Sequence, residues 1–143
     1  MIRGATVAGV TLVVVDGNNV IGARPDGWWR DRPAAARRLL DRLRAYAAAR
    51  PGPVVLVLDV PQDDVPEGDN GGVTVVYPDR RGRDAADDRI VALLDERAAA
   101  GAPDPGEVEV ITSDRALSAR AAERGAQVTG ARSFLARLDA SGA

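Results

Sequence analysis

The sequence predicts a three-layer α/β/α domain, Rossmann-like, around a central and mainly parallel sheet. Three observations predict it. Short runs of apolar, largely β-branched residues at 12–15 and 54–58 are bounded by turn residues, as strands buried on both faces are. Between such runs lie segments whose apolar residues recur at helical spacing. Strands that alternate with helices require right-handed crossovers, and so a parallel sheet covered on both sides. No linker and no internal repeat divides the chain, apart from a recurring strand-then-Asp pattern. The 143 residues therefore read as one domain over 1–143, with its core at about 11–138.

Residues 1–10 read as a short lead-in and 11–16 as the first strand. Residues 17–30 read as a loop carrying Val20-Ile21-Gly22 and the pair Trp28-Trp29. Asp31 is placed to cap a helix, with Pro33 in the first turn, where its missing N–H is harmless. Leu39, Leu40, Leu43 and Tyr46 form the inner face of that helix, which stops near Arg50 before Pro51-Gly52-Pro53. The second strand, 54–59, repeats the form of the first by ending in Asp. Residues 60–72 read as a loop, 73–77 as a third strand, 78–83 as a turn loaded with Arg, and 84–100 as a helix. After a Pro/Gly break at 101–106 come a strand at 108–112, a helix opened by Ser113-Asp114 and running to about Arg124, a short strand at 126–129 and a last helix at 131–138.

Composition narrows the chemistry. The 19 basic residues, all Arg, and 21 acidic residues give a formal charge of −2, so any attraction to phosphate must come from local clustering. With no Cys and no His, the chain has no thiol nucleophile, disulfide, histidine triad or ordinary zinc site. Carboxylates, amides, hydroxyls, arginines or a hard metal ion must do any catalysis. No apolar stretch is long enough to span a membrane and no signal-peptide cleavage region is evident, so the expected location is cytoplasmic.

Asp16, Asp59 and, after Thr112-Ser113, Asp114 end three strands and would converge along the sheet edge where open α/β folds take their ligands. The helix at 84–100 adds a fourth carboxylate. Ile90, Val91 and Leu94 lie three, four and seven residues beyond Asp87, which places Asp87 on the inward face. Asp84 is roughly on that side, whereas Asp88 is rotated by about 100°; either could support Asp87. The competing accounts are favourable helix-dipole placement for Asp84 and Asp88, an N-cap role for Asp114 and a plain strand end for Asp59. Taken together, like charges gathered without His or Cys suit Mg²⁺ or Mn²⁺, one ion or two, and metal-assisted phosphodiester hydrolysis. Asn18 and Asn19 would orient a ligand or a metal-bound water, or close the loop as Asx-turns. Thr112 and Ser113 would donate to phosphate or cap the helix. Arg80, Arg81, Arg83, Arg89 and Arg115 flank the site and would hold a nucleic-acid backbone, with a solvated, salt-bridged surface as the alternative. Trp28 and Trp29 would stack a base or pack against the following helix.

Four motifs, Val14-Val15-Asp16-Gly17-Asn18-Asn19-Val20-Ile21-Gly22, Leu56-Val57-Leu58-Asp59, Ala86-Asp87-Asp88-Arg89-Ile90 and Thr112-Ser113-Asp114-Arg115, occur in this order over nearly the whole chain. Together they resemble the NYN domain of the PIN-like nuclease superfamily, in its YacP-like branch. The resemblance implies a PIN-like fold and metal-dependent endoribonuclease activity on single-stranded or structured RNA. It places the metal-site carboxylates at Asp16, Asp87 and Asp114, with Asp59 adjacent; Asn19, as the residue that would orient a ligand or metal-bound water, completes the expected catalytic set. The sequence departs from the family's pattern in two places. YacP-like proteins often carry Glu after the helix isoleucine, where this chain has Val91, which leaves Asp88 as the substitute ligand. Residues 60–72 are short for a substrate-covering insertion, so RNA selectivity would fall to a protein partner or a second copy of the chain. A haloacid-dehalogenase-type phosphatase would need Asp where Asn18 stands, and a response-regulator receiver would need a Lys that the chain lacks. The alternative from another class is a non-catalytic RNA-binding or assembly module on the same fold.

Overall fold

Valine runs bury themselves most completely when a strand has neighbours on both edges and helices on both faces, and β1 (Leu12–Asp16) has both. In the computed structural model, which describes residues 12–101 and 107–143, β1 pairs in parallel with β2 (Val54–Val57) and with β5 (Val108–Ile111). β4 (Val73–Val76) extends the sheet beyond β2, and β6 (Gln127–Thr129) extends it beyond β5, both in parallel. β3 (Gly68–Asn70) adds an antiparallel edge, giving the order β3-β4-β2-β1-β5-β6. The expected lead-in at 1–10, residue 11 of the first strand and the break at 102–106 lie outside the described residues.

Alternation along β1 sends its side chains to two cores. Val13 and Val15 join Leu39, Leu40 and Leu43 of α2 (Arg32–Ala48) and Phe134 and Leu138 of α5 (Ala131–Ser141). Leu12 and Val14 face the other way, onto Ile90, Val91 and Leu94 of α3 (Ala85–Ala99) and Leu117 and Ala121 of α4 (Arg115–Glu123). The three-layer α/β/α architecture is thus present. Among the described residues no helix is long and apolar enough to cross a membrane.

Two expected loops contain regular structure. Residues 17–22 form a short helix, α1 (Gly17–Gly22), directly after β1, and a single 3₁₀ turn covers Trp28–Arg30. The loop expected at 60–72 contains β3, which has no apolar residue to signal a strand. Gly71 and Gly72 join it to β4 with φ of 62° and 91°, the left-handed geometry of a two-residue hairpin turn. Gly17 is required for a different reason. A Cβ there would lie 2.7 Å from Leu58 Cδ2 and 2.8 Å from the Val57 carbonyl oxygen, so α1 can start against the end of β2 only with no side chain at this position.

One buried ionic contact braces the sheet. Glu109, 5% exposed on β5, receives two hydrogen bonds from the Arg137 guanidinium of α5, at 2.9 and 2.8 Å, and a third from the Thr129 hydroxyl. Burial alone would raise its pKa, but Arg137 and Thr129 hold it below the ordinary glutamate value.

Two stability changes are expected. Gly17→Ala should cost about 1–3 kcal/mol through overpacking, whereas Gly22→Ala, whose Cβ would meet nothing closer than 3.8 Å, should be close to neutral; urea midpoints compare them. Arg137→Ala should cost about 3 kcal/mol, the low end for breaking a buried pair because Arg137 is part-exposed. Since Glu109 has a depressed folded pKa, its contribution in the wild type is present above the unfolded glutamate pKa and fades as pH falls through the folded one. The gap between wild type and Arg137→Ala should therefore narrow in acid.

Candidate active site

β1 delivers Asp16 to the carboxyl edge of the sheet, where it is 5% exposed and the chain turns at once into α1. Its carboxylate accepts a hydrogen bond from the Thr112 hydroxyl at 2.8 Å, just past the end of β5. Thr112 Oγ1 accepts in turn from the Asp114 N–H at 3.1 Å, and Asp114 caps α4 by accepting from the Leu117 N–H at 2.9 Å. The N-cap reading of Asp114 therefore holds alongside its place in the site.

The two asparagines of α1 reach outward in opposite directions. Asn18 Oδ1 accepts from the Asp59 N–H at 2.9 Å and Asn19 Oδ1 accepts from the Ser113 N–H at 2.7 Å. They tie the loops after β2 and β5 to the helix between them, so neither amide closes an Asx-turn through these oxygens. The Ser113 hydroxyl accepts from the Ala131 N–H at 2.9 Å, at the start of α5.

These contacts frame an open cleft of about 270 Å³ lined by Asp16, Asp59, Asp84, Asp87 and Asp114, together with Asn18, Asn19 and Arg83. Asp84 is the only non-glycine among the described residues with positive φ, 64°, a conformation that aspartate tolerates better than most residues. Burial, then the charges of Asp16, Asp114 and Asp84, push the Asp87 pKa up to about 6, against the opposing pull of Arg120. Asp16 is raised chiefly by burial; the Thr112 hydroxyl and the Asn19 N–H work against this, while Asp114 and Asp59 add to it.

Elsewhere on the molecule several acids are paired with arginines: Asp64 with Arg37, Asp95 with Arg124, Asp139 with Arg24 and Arg42, and Glu109 with Arg137. No described arginine forms an ion pair with any of the five carboxylates of the cleft. Among the described residues, no three acidic side chains are gathered closely enough to form a ready-made metal cage.

The structure does not bring every expected residue into the cleft. Asp88, expected as a supporting ligand, turns away and receives Arg120 at 2.8 Å and Arg80 at 2.5 Å; these hydrogen bonds lower its pKa. The 100° rotation from Asp87 puts it between α3 and α4, so it does not replace the acid absent at Val91, which is buried in the core. Arg80 is thereby engaged, and Arg89 is paired with Glu96 at 3.4 Å; for these two the salt-bridged-surface reading describes the structure. Arg83 lines the cleft, while Arg81 and Arg115 are exposed and carry no ion pair. Arg120 was not a candidate; its one signal was its position a turn beyond Leu117 on the inward stripe of α4. Trp28 and Trp29 stand perpendicular with centroids 6.0 Å apart, Trp28 beneath Arg32 and Trp29 54% exposed.

Comparison with known proteins agrees with this architecture. The family model of the YacP-like NYN domain matches residues 13–143. The crystal structure of Rae1 (YacP) from Bacillus subtilis superposes with a TM-score of 0.70 at 25% identity, over 92% of this chain and 75% of that one. A tryptophan-to-leucine mutant of Rae1 superposes with a TM-score of 0.71 at 23% identity, over 92% of this chain and 77% of that one. The expected PIN-like fold is therefore found. No curated protein matches the sequence.

Asp87 yields a pH test of the cleft's electrostatics. Its folded pKa of about 6 exceeds the ordinary 3.8, so the folded state binds the proton more tightly and loses stability as pH rises from about 4 to about 6. In metal-free buffer at neutral pH, Asp87→Asn should unfold later than wild type, by about 1 kcal/mol after allowing for solvent screening. That advantage should vanish near pH 4. A difference that did not change with pH would refute burial and repulsion as its source.

Proposed function

The chain belongs to the family of YacP-like NYN domains, which are nuclease-type domains, and from that premise we propose that it is a cytoplasmic endoribonuclease dependent on Mg²⁺ or Mn²⁺. Its substrate is single-stranded or structured RNA, cleaved at phosphodiester bonds. The observation that supports this reading is the cleft itself: five carboxylates from four separate segments of the chain line it together, and no described arginine forms an ion pair with any of them. Such charge favours a cation as the missing partner.

The donor set fits a hard divalent ion, because every ligand on offer is oxygen. Mg²⁺ takes one or two direct carboxylates and keeps several waters, so it does not require a closed cage of three. Asp16, Asp87 and Asp114 would hold it, with Asp59 assisting. When bound, such an ion offsets charge on the phosphoryl oxygens and acidifies a water. The chain's own residues do the positioning. Thr112 orients the Asp16 carboxylate through its 2.8 Å hydrogen bond, and Asn18 and Asn19 fix the two loops that carry Asp59 and Asp114. Arg83, unpaired on the cleft wall, is placed to contact an incoming phosphate.

One observation favours a second reading, a non-catalytic RNA-binding module. Val91 removes one acid of the family's pattern, and Asp88 is neutralised by two arginines and cannot replace it. Incubation of a mixed pool of labelled RNAs with Mn²⁺ or Mg²⁺, beside EDTA and Asp16→Asn controls, separates the two. Cleavage that needs metal and falls to background in Asp16→Asn is expected. A folded protein that binds RNA in the presence of metal and leaves it uncut would overturn the enzyme reading in favour of the binding module.

A further inference from the structure

A second groove, of about 560 Å³, runs beside the acidic cleft and shares two of its walls, Asn18 and Asn19. Its other polar lining comes from Ser113, Arg132 and Ser133, and it contains no carboxylate. Arg132 is its one charged residue. Unlike Arg24, Arg37, Arg42, Arg124 and Arg137, exposed Arg132 forms no ion pair and no side-chain hydrogen bond with any described residue. An acid-free groove with one unpaired guanidinium, continuous with an acidic cleft, is complementary to the nucleotide next to one whose phosphate occupies that cleft.

Beyond the Gly22 edge of the groove, outside its lining, lies an aromatic pair. Gly22 lines the groove, and Trp28 Cζ2 lies 3.8 Å from the point that a Gly22 Cβ would occupy. Trp29, perpendicular to Trp28, is one of two large apolar side chains left exposed among the described residues. Stacking on an aromatic face requires an unpaired base, so the combination selects single-stranded RNA over duplex.

We propose that this groove is a subsite for one nucleotide flanking the scissile bond of single-stranded RNA, with Arg132 holding its phosphate and the Trp28-Trp29 turn receiving its base. The proposal rests on the ribonuclease reading for the position of the scissile bond, but the groove's affinity for RNA can be measured independently of cleavage.

The chain's two tryptophans both lie in this turn, so tryptophan emission, excited beyond the tyrosine absorption of Tyr46 and Tyr77, reports on it alone. Asp16→Asn protein, with and without Arg132→Ala, would be titrated with a short mixed-sequence single-stranded oligoribonucleotide. Arg38→Ala, another arginine without an ion pair but outside the groove, is the matched control. RNA should quench the fluorescence. Arg132→Ala should weaken binding roughly tenfold and flatten the slope of log affinity against log salt by about 0.7, the loss of one phosphate contact on a single strand. Arg38→Ala should change neither. In the cleavage assay, Arg132→Ala in the otherwise wild-type chain should raise KM and leave kcat nearly unchanged, the signature of lost uniform binding.

Binding by Arg132→Ala within about twofold of its parent, at the same salt slope, would overturn the subsite even if the wild type cleaves RNA. The absence of any RNA binding would overturn it too. An Arg132-dependent affinity in a protein that cuts no RNA would support the subsite and overturn the enzyme reading, so the two ideas fail separately.

Discussion

Three short polar side chains hold the carboxyl edge of the sheet together, and the site depends on them. Thr112 binds the Asp16 carboxylate, Asn18 binds the backbone at Asp59 and Asn19 binds the backbone at Ser113. Each hydrogen bond alone contributes on the order of 1 kcal/mol. Their joint effect is geometric. The strand ends would otherwise be free to splay, and splaying is how gathered carboxylates relieve repulsion. With the loops tied to α1, the repulsion persists and adds to the burial that chiefly raises the proton affinities of Asp16 and Asp87. Gly17 belongs to the same arrangement, because only a residue without a side chain lets α1 start close enough for both asparagines to reach.

The arginines divide by task. Those on the outer faces of the helices are mostly paired with acids and cover the layers beneath. Several beside the carboxyl edge, Arg81, Arg83, Arg115 and Arg132, have no acidic partner, although acidic side chains are numerous nearby. Their exclusion from ion pairs leaves positive charge around a negative cleft, an arrangement suited to a ligand that carries anions and attracts cations, as an RNA strand does.

The layers and the parallel sheet were legible because burial on both faces writes apolar runs, and Val13 to Val15 and Val54 to Val57 are such runs; the order of the strands was not. Asp16, Asp59 and Asp114 were legible for the related reason that parallel strands end on one edge. Asp87 followed from helical period alone. The same period pointed Asp88 away from the cleft, but which cations awaited it there depended on α4, distant in sequence. What stayed hidden lacked a local pattern. α1 begins Gly-Asn-Asn, residues whose intrinsic preference is for turns; the helix exists because tertiary hydrogen bonds from those amides override it. β3 is Gly-Asp-Asn and reads as loop in any local window. Ser113 and Arg132 share a groove only because β6 returns beside β5 and starts α5 against Ser113.

β3 also determines how the sheet ends. An open outer strand offers a row of unpaired backbone groups on which another chain can assemble. Here the last strand is three residues long; Arg44 donates to its Asn70 carbonyl at 3.1 Å, and the Asn70 side chain turns back to the Pro66 carbonyl ahead of the strand at 2.7 Å. The valine-rich β4 is thus covered by a short, polar strand, the kind of edge that disfavours pairing with another chain.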